Sequence, residues 1–344
     1  MTFIDLFCGI GGFRLGMQRA GFDCVFSAEI HPHACSMYEA NFGENPYCDI
    51  TLLDSCSIAN IPDFDILCAG FPCQAFSKAG KAKGFEDTRG TLFFNMCEII
   101  SLKKPKILFL ENVKNLLAHD GGNTFLIIKD HLENLGYNIS YKVLNAKNFN
   151  LPQSRERTII IGVHKDFSDI RFKFDWLDMQ SPYFNPVCKD YVSSLPYCIN
   201  DILENRANFT YLNNKEYTLI TDPKRQIASG LIFVGYLNKK MRTNGVLPGR
   251  EHLSRCHKQN NRIYSSKGTH PTLSSQETSG RYYILVQNKV RKLTQLECYR
   301  LMGFPDNFIK VGSISQLYNR MGNSVCVTMI NAISSILKDI YFSK

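Results

Sequence analysis

From residue 1 to about 165 the chain alternates strand-length apolar runs with amphipathic ones, a pattern that few architectures tolerate. Phe3–Phe7, Phe22–Ala28, Asp65–Ala69, Lys106–Leu110, Tyr137–Leu144 and Thr158–Val163 read as strands. Each is short, β-branched or aromatic in character, and bounded by turn formers. Phe13–Ala20, His33–Asn41, Leu92–Leu102 and Thr124–Leu135 read as helices between them. In the last, Phe125, Ile128, Leu132 and Leu135 share a face, Thr124 is placed to cap the start, and Gly136 to stop the end. Strands separated by helices predict an α/β fold, a mostly parallel sheet with helices on both faces. Such sheets bind ligands beyond the carboxyl ends of their strands.

The character changes around Asp166–Asn185, where aromatic and turn residues crowd together with Pro182 and Pro186. Residues 191–287 show weak periodicity, with only short strand-like pieces such as Leu231–Tyr236 and Arg281–Val286, and read as a second, smaller, loop-rich domain. Regular structure then resumes. Thr294-Gln295-Leu296-Glu297 has the capping-box pattern, opening a helix that Gly303 and Pro305 stop, and a final helix spans about Val325–Tyr341. Two short helices cannot build a core alone. Residues 288–344 are therefore expected to complete the domain formed by residues 1–190.

Charge is unevenly placed. The chain carries +9 in all, and Tyr191–Gln287 holds 13 basic against 6 acidic residues, a net of +7 in under a third of the length. A local excess of this kind suits a polyphosphate partner. The apolar runs are too short to span a bilayer. Met1–Phe7 lacks the basic start of a secretion signal. Thirteen cysteines without a Cys-x-x-Cys pair support neither a disulfide framework nor zinc, and point to reduced thiols in the cytoplasm.

Two strand tips carry chemistry. The run ending at Gly70 leads into Phe71-Pro72-Cys73-Gln74, and Ile107–Leu110 leads into Glu111-Asn112-Val113. A thiol and a carboxylate offered side by side suit covalent attack on an electron-poor ring, with an acid to take up the charge. Cytosine is such a ring. Thiolate addition at C6 turns C5 into an enamine carbon that can attack a sulfonium methyl group, and protonation at N3 by Glu111 offsets the developing charge. Gln153-Ser154-Arg155-Glu156-Arg157 precedes another strand, and Arg155 and Arg157 offer donors to the pyrimidine O2.

A cofactor site follows the first strand. Cys8-Gly9-Ile10-Gly11-Gly12-Phe13 allows a tight strand-to-helix turn with close ligand approach. Arg14 stands where a dinucleotide fingerprint needs glycine. Glu29, at the end of the second strand, can accept from ribose hydroxyls, and Asp49, followed by Ile50, from an adenine amino group. Ribose and adenine without pyrophosphate indicate S-adenosylmethionine. A base within duplex DNA must be extruded before reaction. Arg255, Lys258, Gln259 and Arg262, with Thr272, Ser274, Ser275 and Gln276, mix phosphate-binding and base-reading groups.

Phe3–Gly12, Gly70–Gln74, Glu111–Val113, Gln153–Arg157 and Arg320-Met321-Gly322-Asn323-Ser324-Val325, in this order, resemble the motifs of the DNA (cytosine-5) methyltransferases, above all the bacterial restriction–modification enzymes of the HhaI type. The resemblance spans nearly the whole chain. It implies a Rossmann-like, S-adenosylmethionine-dependent methyltransferase domain and a target-recognition domain at 191–287. Cys73 is then the nucleophile, Glu111 the N3 partner, and Arg155 and Arg157 anchors near the ring. Phe7, Gly9, Ile10, Gly11, Gly12, Glu29, Ile30, Asp49, Ile50, Gly70, Pro72, Leu92, Asn323 and Ser324 line the cofactor. Ser77 lies in a loop closing over DNA, Gln259 enters the emptied duplex, and Thr272-Leu273 grips the flipped nucleotide's backbone. Ile30 departs from the family, which often places an aromatic residue there. The resemblance further implies double-stranded DNA as substrate, action as a monomer in a prokaryotic cytoplasm, and a cognate restriction endonuclease as functional partner. Two alternatives remain: a tRNA methyltransferase, against which no Cys-Phe-Thr element occurs in the smaller domain, and a non-catalytic DNA-binding relic, against which Cys73, Glu111 and Asn323 are intact.

Overall fold

The computed structural model describes residues 1–72, 92–177, 198–205, 208–238, 249–275 and 283–343. In chain order its first elements are Thr2–Leu6 (β1), Gly12–Arg19 (α1), Asp23–Ala28 (β2), Pro32–Phe42 (α2), Ser55–Ala59 (α3), Ile66–Gly70 (β3), Leu92–Lys103 (α4), Ile107–Val113 (β4), Asn123–Asn134 (α5) and Tyr137–Asn145 (β5). Then come Gln153–Ser154 (β6), Glu156–His164 (β7), Tyr217–Leu219 (β8), Phe233–Leu237 (β9), Arg262–Ser265 (β10), His270–Pro271 (β11), Tyr283–Val286 (β12) and Lys289–Lys292 (β13). Three helices follow: Gln295–Arg300 (α6), Ile314–Asn323 (α7) and Val327–Tyr341 (α8).

Two compact units emerge. The first comprises Met1–Leu144, Glu156–Val192 and Val325–Lys344, and the second Asn145–Arg155 and Ser193–Ser324. The first holds a six-stranded sheet in the order β2-β1-β3-β4-β7-β5. β1 pairs in parallel with β2 and β3, β3 pairs in parallel with β4, and β7 runs antiparallel to β4. The strand order reverses at β1, so the ends of β1, β2 and β3 flank a switch point. Leu6, Leu67, Ala69, Leu108, Leu110 and Ile160 pack on one face with Phe93, Ile99 and Ile128. On the α1 side, Phe13 meets Phe109 edge-on at 5.1 Å. A Cβ at Gly16 would lie 2.6 Å from Ile330, so α1 and α8 approach through a missing side chain.

The second unit holds a five-stranded sheet in the order β13-β12-β10-β9-β8. Residues 288–324 group with it, whereas the sequence reading joined them to residues 1–190. The grouping has visible causes. Arg291 on β13 makes two 2.7 Å bonds to Glu297 on α6, both side chains being buried, and Glu297 also accepts from the Glu204 amide at 3.0 Å. Buried Gln153 donates to the Leu301 carbonyl at 2.8 Å.

Local expectations fare unevenly. Thr294 and Glu297 form the reciprocal capping box. Thr124 is not a cap: α5 starts at Asn123 behind Gly122, and the Thr124 hydroxyl instead lies 2.6 Å from His119 Nδ1. The last helix begins at Val327, and α7, capped by Ser313, was not anticipated at all. No helix among the described residues is long and apolar enough to cross a membrane.

Candidate active site

The parallel register of β3 and β4 sets Gly70 opposite Glu111. A Cβ built on Gly70 would come within 3.9 Å of Glu111 Oε2, so the carboxylate stands directly beside the start of the Phe71-Pro72 turn. In the antiparallel β4–β7 ladder Glu111 pairs with Ile159 and Val113 with Arg157. Arg157 is therefore Glu111's diagonal neighbour on the same face. Its Nε bonds Glu111 Oε1 at 2.9 Å, with both side chains nearly buried. Strand alternation sends the next residue the other way. Asn112 is buried, and its Nδ2 donates to the Phe71 carbonyl at 2.8 Å, pinning the turn that precedes Pro72. Sequence reasoning passed over Asn112, although its place one residue beyond Glu111 on a strand carried the signal.

Arg155, expected to anchor near the ring, spends its guanidinium on backbone carbonyls. It is buried, and its guanidinium donates to three carbonyls: Leu273 at 3.0 Å, Gly322 at 3.0 Å and Ser324 at 2.8 Å. It thus straps the Thr272-Leu273 segment to the Gly322-Asn323-Ser324 segment. Thr272 adds a 2.7 Å bond from its hydroxyl to the Ser154 carbonyl. A Cβ at Gly322 would sit 2.3 Å from the Ser274 carbonyl oxygen, so only glycine permits this approach. Asn323 is exposed, and Ser324 is buried.

The turn after β1 has the shape expected of a small-molecule cradle. Phe7 adopts φ 56°, a strained value for a non-glycine residue, and Gly9 adopts φ 57° with open space where a Cβ would stand. Glu29 is buried and joins this turn to the end of β2: Oε2 accepts from the Gly9 amide, and Oε1 from the Ile30 and His31 amides, all at 2.9 Å. Each oxygen of a carboxylate accepts more than one bond, which leaves capacity for a ligand hydroxyl. Ile30 is half exposed. Asp49 uses Oδ1 for the Thr51 amide and hydroxyl, and these bonds hold its carboxyl below the usual carboxylate range. Ile10 and Ile50 are buried, Gly11 and Gly12 sit at the start of α1, and Leu92 packs on the core at the start of α4. Arg14 is spoken for: it bonds the Tyr38 hydroxyl at 2.9 Å and pairs with Glu44, tying α1 to α2. That explains the broken glycine fingerprint.

Behind the turn lies Asp5, wholly buried within β1. Burial raises its carboxyl from 3.8 to about 8, and the Arg14 amide and guanidinium offset only part of that rise. The folded state keeps this proton up to about pH 8, while the unfolded chain loses it near 3.8. Stability therefore declines as pH rises through that window, by at most about 1.4 kcal/mol per pH unit from this group. Asp5→Asn should flatten the profile of urea midpoint against pH between about 5 and 8; a slope unchanged from wild type would contradict the assignment.

Cys73, Ser77 and Gln276 lie outside the described residues. Burial pushes the thiols of Cys8 and Cys68 well up, and those of Cys24 and Cys97 up to about 12, which unsuits these four as nucleophiles. Arg255, Lys258 and Gln259 are exposed on the second unit, while Arg262 is half-buried. Among the described residues no group of three or more His, Cys, Asp or Glu side chains is placed to hold a metal ion.

Comparison with known proteins gives the family. The family described as C-5 cytosine-specific DNA methylase matches residues 1–339. Type II methyltransferase M.HhaI of Haemophilus parahaemolyticus is 39% identical over 340 residues, 97% of this chain and 93% of its own. Type II methyltransferase M.HaeII of Haemophilus aegyptius is 41% identical over 331 residues, 96% of this chain and 91% of its own. The crystal structure of the S. pombe Dnmt2 methyltransferase shares the fold, with TM-score 0.69 at 19% identity over 98% of each chain. With a full-length family match and relatives near 40% identity, the chain belongs to the C-5 cytosine-specific DNA methylases and is a DNA cytosine-5 methyltransferase.

Proposed function

We propose that the protein methylates C5 of cytosine within one short double-stranded DNA sequence, by flipping the base and adding Cys73 to C6, as the modification half of a restriction–modification system. The observation that carries the reading is the register of β3 and β4, which sets the Arg157-paired Glu111 beside the Gly70-Phe71-Pro72 turn. Cys73 follows that turn directly. S-adenosylmethionine, bound by the Gly9 turn, Glu29 and Asp49, supplies an electrophilic methyl group when present.

The thiolate of Cys73 forms a bond to C6, and the C5–C6 π electrons make C5 nucleophilic. Glu111 meets the ring at N3 and offsets the charge arriving there, with Arg157 holding its carboxyl in place. C5 would then accept the electrophilic methyl group that S-adenosylmethionine supplies when bound. A base removes the C5 proton, and that electron pair expels the Cys73 thiolate from C6. Arg255, Lys258 and Gln259 on the second unit serve DNA binding, with Gln259 entering the space left by the flipped base. Residues 191–287 act as the target-recognition segment.

Bisulfite sequencing of plasmid DNA from cells expressing the chain tests this reading. Protected cytosines should fall at one position of one short motif. Unprotected DNA, or protection confined to tRNA, would refute it.

A further inference from the structure

The segment that presents Gln259 is built around one histidine. β9 carries a bulge: Ile263 pairs with Gly235, but the next residue, Tyr264, pairs with Phe233, leaving Val234 as the extra residue. Residues three apart on a regular strand face opposite sides. The bulge turns Phe233 and Tyr236 toward one cluster with Tyr264, while Val234 packs with Ile263 in another. His257 lies on this aromatic seat, 1% exposed, stacked on Tyr236 at 4.2 Å with 15° between the planes and on Phe233 at 5.6 Å and 29°.

The same histidine ties the chain on either side of it. Its Nε2 lies 2.7 Å from the Glu251 carbonyl oxygen, a bond in which the ring nitrogen donates. Its own carbonyl accepts two bonds from Arg262, Nε at 3.0 Å and Nη2 at 2.9 Å. Arg262, expected from sequence to read DNA, thus spends two donors closing the Lys258–Asn261 loop. The Asn261 amide bonds the Lys258 carbonyl at 3.0 Å across that loop, and exposed Gln259 sits near its apex. Ring, ring nitrogen and carbonyl of one residue therefore fix the loop to the sheet, to the upstream chain and to the downstream chain.

We infer that His257 is a positioning residue for base flipping: seated on the β9 bulge, it holds the Gln259 loop in the shape in which Gln259 enters the duplex. A preformed loop has less conformational freedom to lose when it inserts. The inference rests on the proposed role of Gln259.

Its test measures flipping directly, with 2-aminopurine replacing the target cytosine in duplex DNA carrying the motif mapped by bisulfite sequencing. Four proteins are compared: Gln259→Ala, His257→Ala, their double variant, and His257→Phe, which keeps the stack but not the bond to Glu251. Gln259→Ala and His257→Ala should each lower the flipping constant by about tenfold, and the double variant should be no worse than Gln259→Ala alone, because both act through one loop. His257→Phe should fall between wild type and His257→Ala. S-adenosylhomocysteine affinity should stay within about twofold of wild type in all four, since neither residue belongs to the Gly9 turn, Glu29 and Asp49 that bind the cofactor. If Gln259→Ala flips like wild type, the infiltrating role fails and takes the inference with it. If Gln259→Ala is impaired but His257→Ala is silent, or the two losses multiply, the inference alone is overturned. A His257→Ala protein that loses cofactor affinity in parallel with flipping, with His257→Phe equally damaged, also overturns it.

Discussion

Cys73→Ser should leave cofactor affinity near wild type and abolish methyl transfer. A serine hydroxyl is far less acidic than a thiol, so almost none is ionised near neutrality, and its oxygen adds poorly to a conjugated ring carbon. The loss should be on the order of 10⁴-fold or more in kcat, the scale seen when a covalent nucleophile is removed. DNA containing 5-fluorocytosine at the mapped site gives the sharper readout. Fluorine cannot leave as a proton does, so the wild-type protein should stall as a covalent adduct that survives denaturing electrophoresis, and Cys73→Ser should give none. An adduct in the variant would move the nucleophile elsewhere. The buried thiols of Cys8 and Cys68, pushed up by desolvation, are poor substitutes.

Glu111→Gln should lower kcat by about 10² to 10⁴-fold, the range for losing a positioned acid–base group. The substitution keeps the side chain's size and one oxygen for Arg157, so the strand tip keeps its shape. What it removes is the ability to exchange a proton with N3 and half of a nearly buried ion pair at 2.9 Å. Binding of DNA and of S-adenosylhomocysteine should change far less than kcat. A variant retaining wild-type kcat would show that charge on the ring is handled by another group, and the assigned role of Glu111 would fall.

The strand tips were legible in the sequence because a parallel sheet leaves little choice there. Once Asp65–Ala69 and Lys106–Leu110 are strands, Phe71-Pro72 and Glu111 must lie on the same rim, and they do. Glu29 was readable for the same reason, as the residue just past the end of β2, beside the Gly9 turn. Arg155 was not. Its neighbour Arg157 reaches Glu111, but Arg155 turns to three carbonyls contributed by residues more than a hundred positions away, and no local pattern encodes that. Helix α7 was legible and was missed: Ile314, Leu317, Tyr318 and Met321 recur at helical spacing behind a Ser313–Gln316 capping box, but its last turn was read only as the Arg320–Val325 motif. His257 escaped because its seat depends on a bulge in another strand, which shifts the alternation that sequence reading assumes.

The antiparallel direction of β7 limits how its sequence can drift. Because Arg157 stands at the entrance of this strand, it shares a rim with residues at the exits of β3 and β4, and its aim is set by seven successive pairings from Ile107–Val163 to Val113–Arg157. An insertion of a single residue within Thr158–Ile161 would exchange the two packed faces of the strand. It would force Ile159 and Ile161 into the space packed around Ile160, and Ile160 into theirs, all three being fully buried, and, in the same stroke, swing the guanidinium away from its carboxylate. Packing and chemistry here share one ruler, so length changes within β7 should be far rarer among functional variants than substitutions are.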